Sequence, residues 1–370
     1  MLRNDGKMIN WRNRRRLAGP LALLLAGCAT IPNSLHPGYY NAASALPLGP
    51  AGYVAEPPGG SPTRLVNIES QLLPNPAPFP DEAVLKYRPG SKLCRDTFQV
   101  PNLGHLHGLL EGPGMVHFSH SGLGIDEAEI TNLDWRLFVA DGSPADSSSN
   151  DIRPAVLPDP AALPVPDYYS SPFYAYYPVV GINYEQAVRY CQWRTEAVNE
   201  RLQQSPHFAG ESVEYRLPTE AEWEEAAEVR SGLPYGTTCL ELPVRVASGA
   251  AAYLQKRSGS SAPVAQIKAD IAAYNRRKPV RAWINYAQAE PYFLRLATPG
   301  YVYQGPPNDF GVFQLLGNVA EMVQERGLTK GGSYRDELAA CRIKARGHAN
   351  GPAPTVGFRA VCVVHQPAKR

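Results

Sequence analysis

The chain has little net charge. Its 36 Lys and Arg residues nearly balance its 34 Asp and Glu residues, so the formal net charge of the 370 residues is +2. Residues 1–27 contain six of the basic residues and one acidic residue, and the remainder therefore has a net charge of −3. No stripe of Lys and Arg interleaved with aromatic residues remains that could follow a phosphate backbone. We therefore expect no nucleic-acid partner.

The N-terminus lacks a hydrophobic run of membrane-spanning length. Its apolar run, Leu17–Ala26, is too short to cross a bilayer as a helix and follows a basic stretch that begins at Arg12. The run leads into Leu25-Ala26-Gly27-Cys28, a pattern of small residues before a cysteine that resembles a bacterial lipobox. We predict a lipoprotein signal peptide over residues 1–27.

The lipobox predicts where the mature protein is held. Cleavage before Cys28 would leave this residue at the new N-terminus, where it receives the lipid, including palmitate. Because Ala29 is not aspartate, we expect delivery to the outer membrane, on its periplasmic face. The alternative is an ordinary cleaved signal peptide whose Cys28 is incidental.

Cysteine is scarce, with six residues in the chain. Five remain when Cys28 is set aside: Cys94, Cys191, Cys239, Cys341 and Cys362. An odd number cannot all pair within the chain, so at least one thiol is expected to stay free or to pair elsewhere. An oxidising envelope compartment permits disulfides among the others, and the sequence leaves their connectivity open.

Residues 28–89 are dense in Pro, Gly, Ala and Ser. They include PPGGSP at Pro57–Pro62 and PNPAPFP at Pro74–Pro80. Such a composition cannot bury enough apolar area to offset the entropy lost on ordering. We predict a semi-extended tether that leads from the lipid to a globular body over residues 90–365.

Four of the eight histidines are clustered shortly after the tether. They are His105, His107, His117 and His120. Two histidines separated by one residue share a face of a strand, so a zinc or copper site is geometrically feasible. The alternative is a set of exposed histidines in a Gly-rich loop, because only Glu111 joins them at ligand spacing.

Three segments predict helices that begin with a capping box. The capping residues are Thr131, Asn183 and Thr219, and their partners three positions later are Asp134, Gln186 and Glu222. Apolar residues follow at helical spacing, which places Cys191 in the core.

We expect an ion pair between Arg216 and Glu220. The weak patterning of residues 229–300 predicts long loops with little regular structure.

Three glycine-centred turns near the C-terminus carry the most specific pattern. The sequence reads NDFGVFQLLGNVAEM from Asn308, KGGSY at Lys330–Tyr334 and VGFR at Val356–Arg359. With YPVVGINYEQAVRYCQW at Tyr177–Trp193 and RLPTEAEWEEAA at Arg216–Ala227, the chain resembles the formylglycine-generating enzyme (sulfatase-modifying factor) family from about Glu129 to Val361. The resemblance implies an α+β, C-type-lectin-like fold with low regular secondary structure, here with an insert over residues 141–176.

The end of this insert is more similar to the gliding-motility lipoproteins of Bacteroidota, which serve type IX secretion. It reads YYSSPFYAYY at Tyr168–Tyr177, directly before Pro178. The resemblance implies envelope proteins as partners, and we predict that Tyr174, Tyr176 and Tyr177 form part of a docking face, since aromatic residues supply contact area at low entropic cost. Alternatives are a surface loop with scattered tyrosines and a carbohydrate-binding module.

The resemblance also implies a calcium site. Family enzymes hold calcium with a side chain before the Gly-Asn turn, with carbonyls in the turn and with a Glu after it. The positions here are Gln314, Gly317, Val319 and Glu321. The alternative is that Glu321 only pairs with an arginine. A second family calcium site is doubtful, because Asn285 fits its first position poorly and no Asp follows before Asp309.

Copper is not expected. The family's oxidase reaction, which converts a protein cysteine to formylglycine, requires two thiols five residues apart after Gly-Gly-Ser, and the positions here are Asp336 and Cys341. One thiolate cannot provide two-sulfur ligation of copper(I), and a carboxylate is a hard ligand. We predict a non-catalytic module in which Cys341 and Cys362 are candidates for a bridge. The alternative is an envelope oxidase that uses Cys341 with the histidines.

Overall fold

A computed structural model describes most of the body of the chain. The described residues are 115–118, 123–141, 153–203, 212–228, 232–237, 240–305 and 307–365, with strand backbone at 40–41, 46–47 and 85–87. None of the helices within these ranges combines the length and the apolar character needed to cross a membrane. The signal peptide, Cys28, Cys94, Cys239, His105, His107 and His120 lie outside the described residues.

Six α-helices are distributed along the described part of the chain. They are α1 (Asn132–Asp141), α2 (Arg153–Val156), α3 (Tyr184–Gln203), α4 (Glu220–Ala227), α5 (Ala251–Ser258) and α6 (Val264–Arg276). Short 3-10 turns lie at Pro160–Ala162, Pro172–Tyr174, Ser248–Ala250, Tyr292–Leu294 and Leu338–Cys341. The α+β class is therefore confirmed.

The three predicted capping boxes are confirmed. Thr219 accepts a hydrogen bond from the backbone N–H of Glu222, and Glu222 accepts one from the backbone N–H of Thr219. Thr131 with Asp134 and Asn183 with Gln186 make the same reciprocal pairs at α1 and α3. Each pair satisfies two of the N–H groups that a helix start leaves without intrahelical partners.

The strands are short and form several small sheets. They are β1 (Tyr40–Asn41), β2 (Leu46–Pro47), β3 (Leu85–Tyr87), β4 (Met115–His117), β5 (Gly124–Asp126), β6 (Ser212–Arg216), β7 (Glu241–Val246), β8 (Val280–Ala282), β9 (Ala320–Met322), β10 (Leu328–Lys330), β11 (Gly347–His348), β12 (Val356–Gly357) and β13 (Val361–His365). The sheet orders are β1-β2, β4-β5-β13-β6, β11-β10-β9-β12 and β3-β7-β8.

The antiparallel sheet β4-β5-β13-β6 supports the largest core. The last strand in the sequence is central: Val361 of β13 pairs with Ile125 of β5 on one side and with Arg216 of β6 on the other. Helices α1 and α3 pack their apolar faces together, and the ring of Trp135 stacks on Tyr190 with centroids 5.5 Å apart. The C-terminal strand thus joins elements from the start and the middle of the body.

Residues 240–295 differ from the prediction of long loops. Here α5 and α6 cover the sheet β3-β7-β8, and the apolar residues that they bury are Leu254, Ile267 and Ile271. The prediction was wrong because the buried stripe of α6 is narrow: Ile267 and Ile271, four residues apart, are its buried residues. We call residues 240–295 the helical layer.

Strand β3 lies within the segment predicted to be a tether. Leu85 pairs with Val246 and Tyr87 pairs with Val244, both in β7. The last part of residues 28–89 therefore joins a sheet of the body. Farther upstream, Tyr40 pairs with Pro47 in a two-stranded hairpin.

Candidate functional site

The Gly-Asn turn packs more closely against its neighbours than any other described glycine position. Gly317 has φ +78°, and a Cβ atom at this position would clash with the carbonyl oxygen of Asn285. Gly317 donates its N–H to the carbonyl of Gly331 at 2.8 Å, and Asn318 donates to that of Asn285 at 2.7 Å. Only glycine combines this φ with so close an approach, so the motif is required by packing.

A buried ion pair lies directly after this turn. Strand β9 places Glu321 in the middle of its sheet, and Arg359 donates to both carboxylate oxygens over distances of 2.7–2.9 Å. The indole N–H of Trp223 donates to the same carboxylate at 2.7 Å. Neither charged side chain is exposed. Burial disfavours the charged guanidinium, but the attraction of Glu321 outweighs it and raises the pKa of Arg359.

Two further buried acidic residues, Glu127 and Glu129, lie in the loop that follows β5. Glu129 is buried and accepts from the side-chain amide of Asn318 at 2.8 Å, and burial raises the pKa of its carboxyl group despite the nearby Arg359. Glu127 accepts from the hydroxyl of Tyr303, and burial raises its pKa to about 8. Both carboxyl groups therefore favour the neutral form inside the protein.

A second buried pair was not predicted from the sequence. Arg194 of α3 donates to both oxygens of Asp126 at 2.9 and 3.0 Å, and its guanidinium lies 4.1 Å from the ring centroid of Tyr215. The signal was available, because a basic residue on the apolar face of α3 and an acidic residue in an apolar strand each need a buried partner.

The prediction that Arg216 pairs with Glu220 was wrong. Arg216 donates to both oxygens of Glu222 at 2.7 Å, whereas Glu220 accepts from Arg346 and from the buried Lys330. The capping box holds Glu222 beside the strand end, while Glu220 points toward the later β10 strand.

The loop after β10 carries the Gly-Gly-Ser sequence. Gly331 and Gly332 have φ values of +86° and +66°, and a Cβ atom on Gly332 would lie 2.9 Å from Ala340 backbone atoms and from the sulfur of Cys341. Asp336 accepts from the N–H of Ser333 at 2.8 Å and from its hydroxyl at 2.6 Å. The carboxylate of Asp336 thus closes the turn that follows Gly-Gly-Ser.

Comparison with known proteins decides the family. Residues 111–364, more than half of the chain, match the family described as "Sulfatase-modifying factor enzyme 1-like domain". The chain belongs to this family. No curated protein sequence matches the chain.

Solved structures of low sequence identity are similar to the chain. Treponema denticola variable protein 1 is 16% identical with a TM-score of 0.37, covering 67% of this chain and 91% of its own. CarF is 16% identical with a TM-score of 0.36, covering 67% and 87%. PvdO from Pseudomonas aeruginosa is 17% identical with a TM-score of 0.37, covering 72% and 90%.

The residues at the calcium position implied by the sulfatase-modifying factor family do not fit the ion well. Both oxygens of Glu321 already accept hydrogen bonds from Arg359 and Trp223. The positively charged guanidinium of Arg359 would repel a divalent cation bound to Glu321. Gln314 donates its amide to the carbonyl of Gln304. The alternative reading of Glu321, as the partner of an arginine, describes the observed contacts.

The residues at the copper position do not fit copper(I). Asp336 is engaged with Ser333, and Cys341 is fully buried against the Gly-Gly turn. Burial, assisted by the negative charge of Asp336, raises the pKa of the Cys341 thiol to about 12. A thiol of this pKa is protonated at neutral pH and is a poor nucleophile.

The predicted bridge between Cys341 and Cys362 is absent. Both residues, like Cys191, are buried thiols. Cys341 packs in the core that contains Trp223, whereas Cys362 packs with Trp135 on the other side of the β13 strand. The two side chains therefore belong to different cores, and Cys191 lies in the core as predicted.

The tyrosines predicted to form a docking face are mostly buried. Tyr174 is 2% exposed and Tyr177 is 0% exposed, and both pack with Tyr168 and Val319. Tyr176 is half-buried. The expectation of an exposed aromatic surface is corrected, because the rings face inward and the hydroxyl of Tyr177 pairs with that of Tyr253.

The histidine cluster stays a prediction. Only His117 falls in a described element, where its backbone pairs with Gly124 across β4 and β5. The other three histidines lie outside the described residues, so the alternative that pairs them with Cys341 is not tested.

Proposed function

We propose that this chain is a non-catalytic, lipid-anchored protein that uses the sulfatase-modifying factor fold as a structural or assembly component of an envelope complex. The observation that carries the proposal is Asp336, which stands where the family's oxidases need a thiol and holds the Gly-Gly-Ser turn through Ser333. The side chain has a structural task there that a thiol would perform less well, since a carboxylate accepts two hydrogen bonds strongly.

The environment of Cys341 supports the same conclusion. A reactive cysteine needs access and a pKa near or below the ambient pH. The side chain of Cys341 is 0% exposed, and its pKa is raised to about 12. Retaining a buried, protonated thiol is consistent with a packing role.

The anchor and the partner class come from the sequence. The lipobox favours attachment to the outer membrane through Cys28, and the resemblance to gliding-motility lipoproteins favours a type IX secretion or motility apparatus as the complex served. Its envelope proteins are the proposed partners. The docking face is not the buried Tyr174 and Tyr177, so it involves other residues of the body.

A complementation experiment tests the proposal. We expect a Cys341→Ala protein to restore secretion and motility in a deletion strain and to co-purify with the same envelope proteins as the wild type. Cys28→Ser should lose membrane fractionation and remain unprocessed, and globomycin should cause the precursor of the wild type to accumulate.

The controls separate chemistry from folding and anchoring. Protein levels and unfolding midpoints of each variant show whether a loss of function is a loss of fold. A well-folded, correctly anchored Cys341→Ala protein that fails to complement would contradict the non-catalytic role, and normal fractionation of Cys28→Ser would contradict the anchor.

A further inference from the structure

Arg257 differs from the other arginines and lysines of the helical layer, most of which are exposed. It lies in the last turn of α5 and is 3% exposed. Within the part of the chain that the structure describes, its Nε and Nη1 atoms are buried and have no hydrogen-bond acceptor. Buried cations are normally paired and hydrogen-bonded, so these unused donors require an explanation.

The carboxylate that experiences the charge of Arg257 already has another partner. Glu290 pairs with Arg281, and the side chains of this pair are 6% and 11% exposed, respectively. Burial raises the pKa of Glu290, and the charges of Arg281 and Arg257 oppose this rise. Two guanidinium groups therefore share one carboxylate, which leaves an excess positive charge in a region of low exposure.

Other acidic side chains near α5 and α6 do not balance this charge. Asp270 of α6 accepts from Tyr292 and Gln266. Asp167 of the insert is exposed and lies 3.9 Å from the ammonium group of Lys256. Among the described acidic residues, none forms an ion pair or a hydrogen bond with Arg257.

The backbone and the neighbours of Arg257 place its side chain where α5 meets the start of the Tyr177 segment. Tyr253, four residues earlier and on the same face of α5, pairs its hydroxyl with that of Tyr177 at 2.7 Å. Burial raises the pKa of Tyr177, and the charge of Arg257 opposes this rise. The carbonyl of Arg257 accepts from the N–H of Ala297 at 3.2 Å, which fixes the end of the helix.

We propose that Arg257 is the central residue of a binding site for a small oxyanion, a carboxylate or a phosphate group, where α5 meets Tyr177. A guanidinium is planar and presents paired donors that match the oxygens of both groups. When two tyrosine hydroxyls share one hydrogen bond, one of their protons remains available to donate, so the pair of Tyr177 and Tyr253 adds a donor beside Arg257.

The burial of Arg257 restricts the class of ligand. A side chain that is 3% exposed cannot take part in a broad interface with a protein, a nucleic acid or a membrane. A small ion is therefore the class of ligand that fits. The site is separate from the Gly-Gly-Ser turn and does not depend on the lipid anchor or on the partners proposed above.

Equilibrium unfolding in the presence of simple anions tests the site. The chain from residue 28 onward, carrying Cys28→Ser, is unfolded with urea in chloride buffer, with sodium phosphate or sodium acetate added at constant ionic strength. We expect a saturable stabilisation by at least one of the two ions. At a hundred times its dissociation constant, a bound ion raises the ratio of folded to unfolded protein about a hundredfold. A response to phosphate alone or to acetate alone distinguishes the two kinds of group.

An arginine in each of two environments provides matched variants. Arg257→Met keeps most of the volume of the side chain and removes its donors, so the response to both ions should disappear. In chloride alone, this variant should be at least as stable as the wild type, because an uncompensated buried charge has been removed. Arg277→Met changes an exposed arginine of the same layer and should keep the full response.

The remaining outcomes contradict the proposal. Equal stabilisation of Arg257→Met and of the wild type would show a general salt effect. A wild type that responds to neither ion would show that no such site exists. A large loss of stability of Arg257→Met in chloride alone would show that the guanidinium has a partner within the fold. Processing at Cys28 and the chemistry of Cys341 do not enter these measurements, so their failure and the failure of this site are distinguishable.

Discussion

The glycine-turn region, residues 313–360, and the helical layer, residues 240–295, place their charges in opposite ways. The first buries Glu321 and Arg359 completely, together with a backbone that only glycine can follow. The second forms regular helices and leaves Arg276, Arg277 and Lys278 exposed. The motifs that identify the family all lie outside the helical layer. These motifs mark positions of close backbone packing and buried charge. They do not by themselves identify a catalytic site.

An Arg→Met substitution should lower the free energy of unfolding by very different amounts in the two regions. Arg359→Met leaves Glu321 buried without its cation, and the loss of one partner of a buried pair costs about 3–5 kcal/mol. Arg277→Met in the helical layer should change stability by less than about 0.5 kcal/mol. Urea unfolding measures both. Similar costs would mean that the buried pair is not what holds the glycine turns together.

Glycine substitutions sharpen the comparison at smaller magnitude. Gly332→Ala combines a positive φ with a Cβ atom 2.9 Å from Ala340, so we expect a loss of about 2–3 kcal/mol. Gly259→Ala in the helical layer has a similar φ of +63°, but its Cβ atom would meet only Ala297 at 3.7 Å. It should cost about 1 kcal/mol. Thermal and urea unfolding of the two variants separate the cost of a positive φ from the cost of a steric clash at the Cβ atom. Equal losses in the free energy of unfolding would contradict the view that close packing distinguishes Gly332.

The buried carboxyl groups predict a pH dependence. The pKa of Glu127 is raised from 4.5 to about 8, so its contribution to stability is fully present below pH 4.5 and is lost as the pH rises to 8. The slope is about 1.4 kcal/mol per pH unit for one proton. Glu127→Gln keeps an acceptor for Tyr303 and should reduce the slope of the free energy of unfolding over this window by the contribution of one proton, while Glu129 continues to titrate. Parallel pH curves for the two proteins would contradict the assignment.

Calcium chelation should have the smallest effect. Because Arg359 and Trp223 already occupy the oxygens of Glu321, EDTA is expected to leave Tm unchanged. Differential scanning fluorimetry with and without added calcium measures this. A fall in Tm on chelation, restored by calcium, would revive the site at Gln314, Gly317, Val319 and Glu321.

What the sequence predicts well is local. The capping boxes at Thr131, Asn183 and Thr219 are confirmed because their partners lie three residues away. The partner of Glu220 could not be found in this way, since Arg346 lies 126 residues later and is brought near only by the fold. The fold was predicted from the family resemblance. The motifs that carry the resemblance consist of glycines and charged residues that long-range packing requires, so they contain information that local patterns lack.

The predictions for the tyrosines and for the helical layer were wrong for a related reason. A run rich in tyrosine suits an exposed docking face and a packed core equally well, and the choice depends on Val319 and Tyr253, which are distant in sequence. In the helical layer, one stripe of Ile267 and Ile271 against β7 is too narrow to be seen without its sheet.

The most direct test of the central claim is an assay for formylglycine. Purified protein loaded with copper(I) receives oxygen, a reductant and a cysteine peptide of sulfatase type, and mass spectrometry follows conversion of the thiol to the aldehyde. A sulfatase-modifying factor enzyme with both thiols serves as the positive control. We predict no conversion, because Asp336 holds Ser333 and the Cys341 thiol is buried and protonated. Aldehyde formation that disappears in Cys341→Ala would contradict the account.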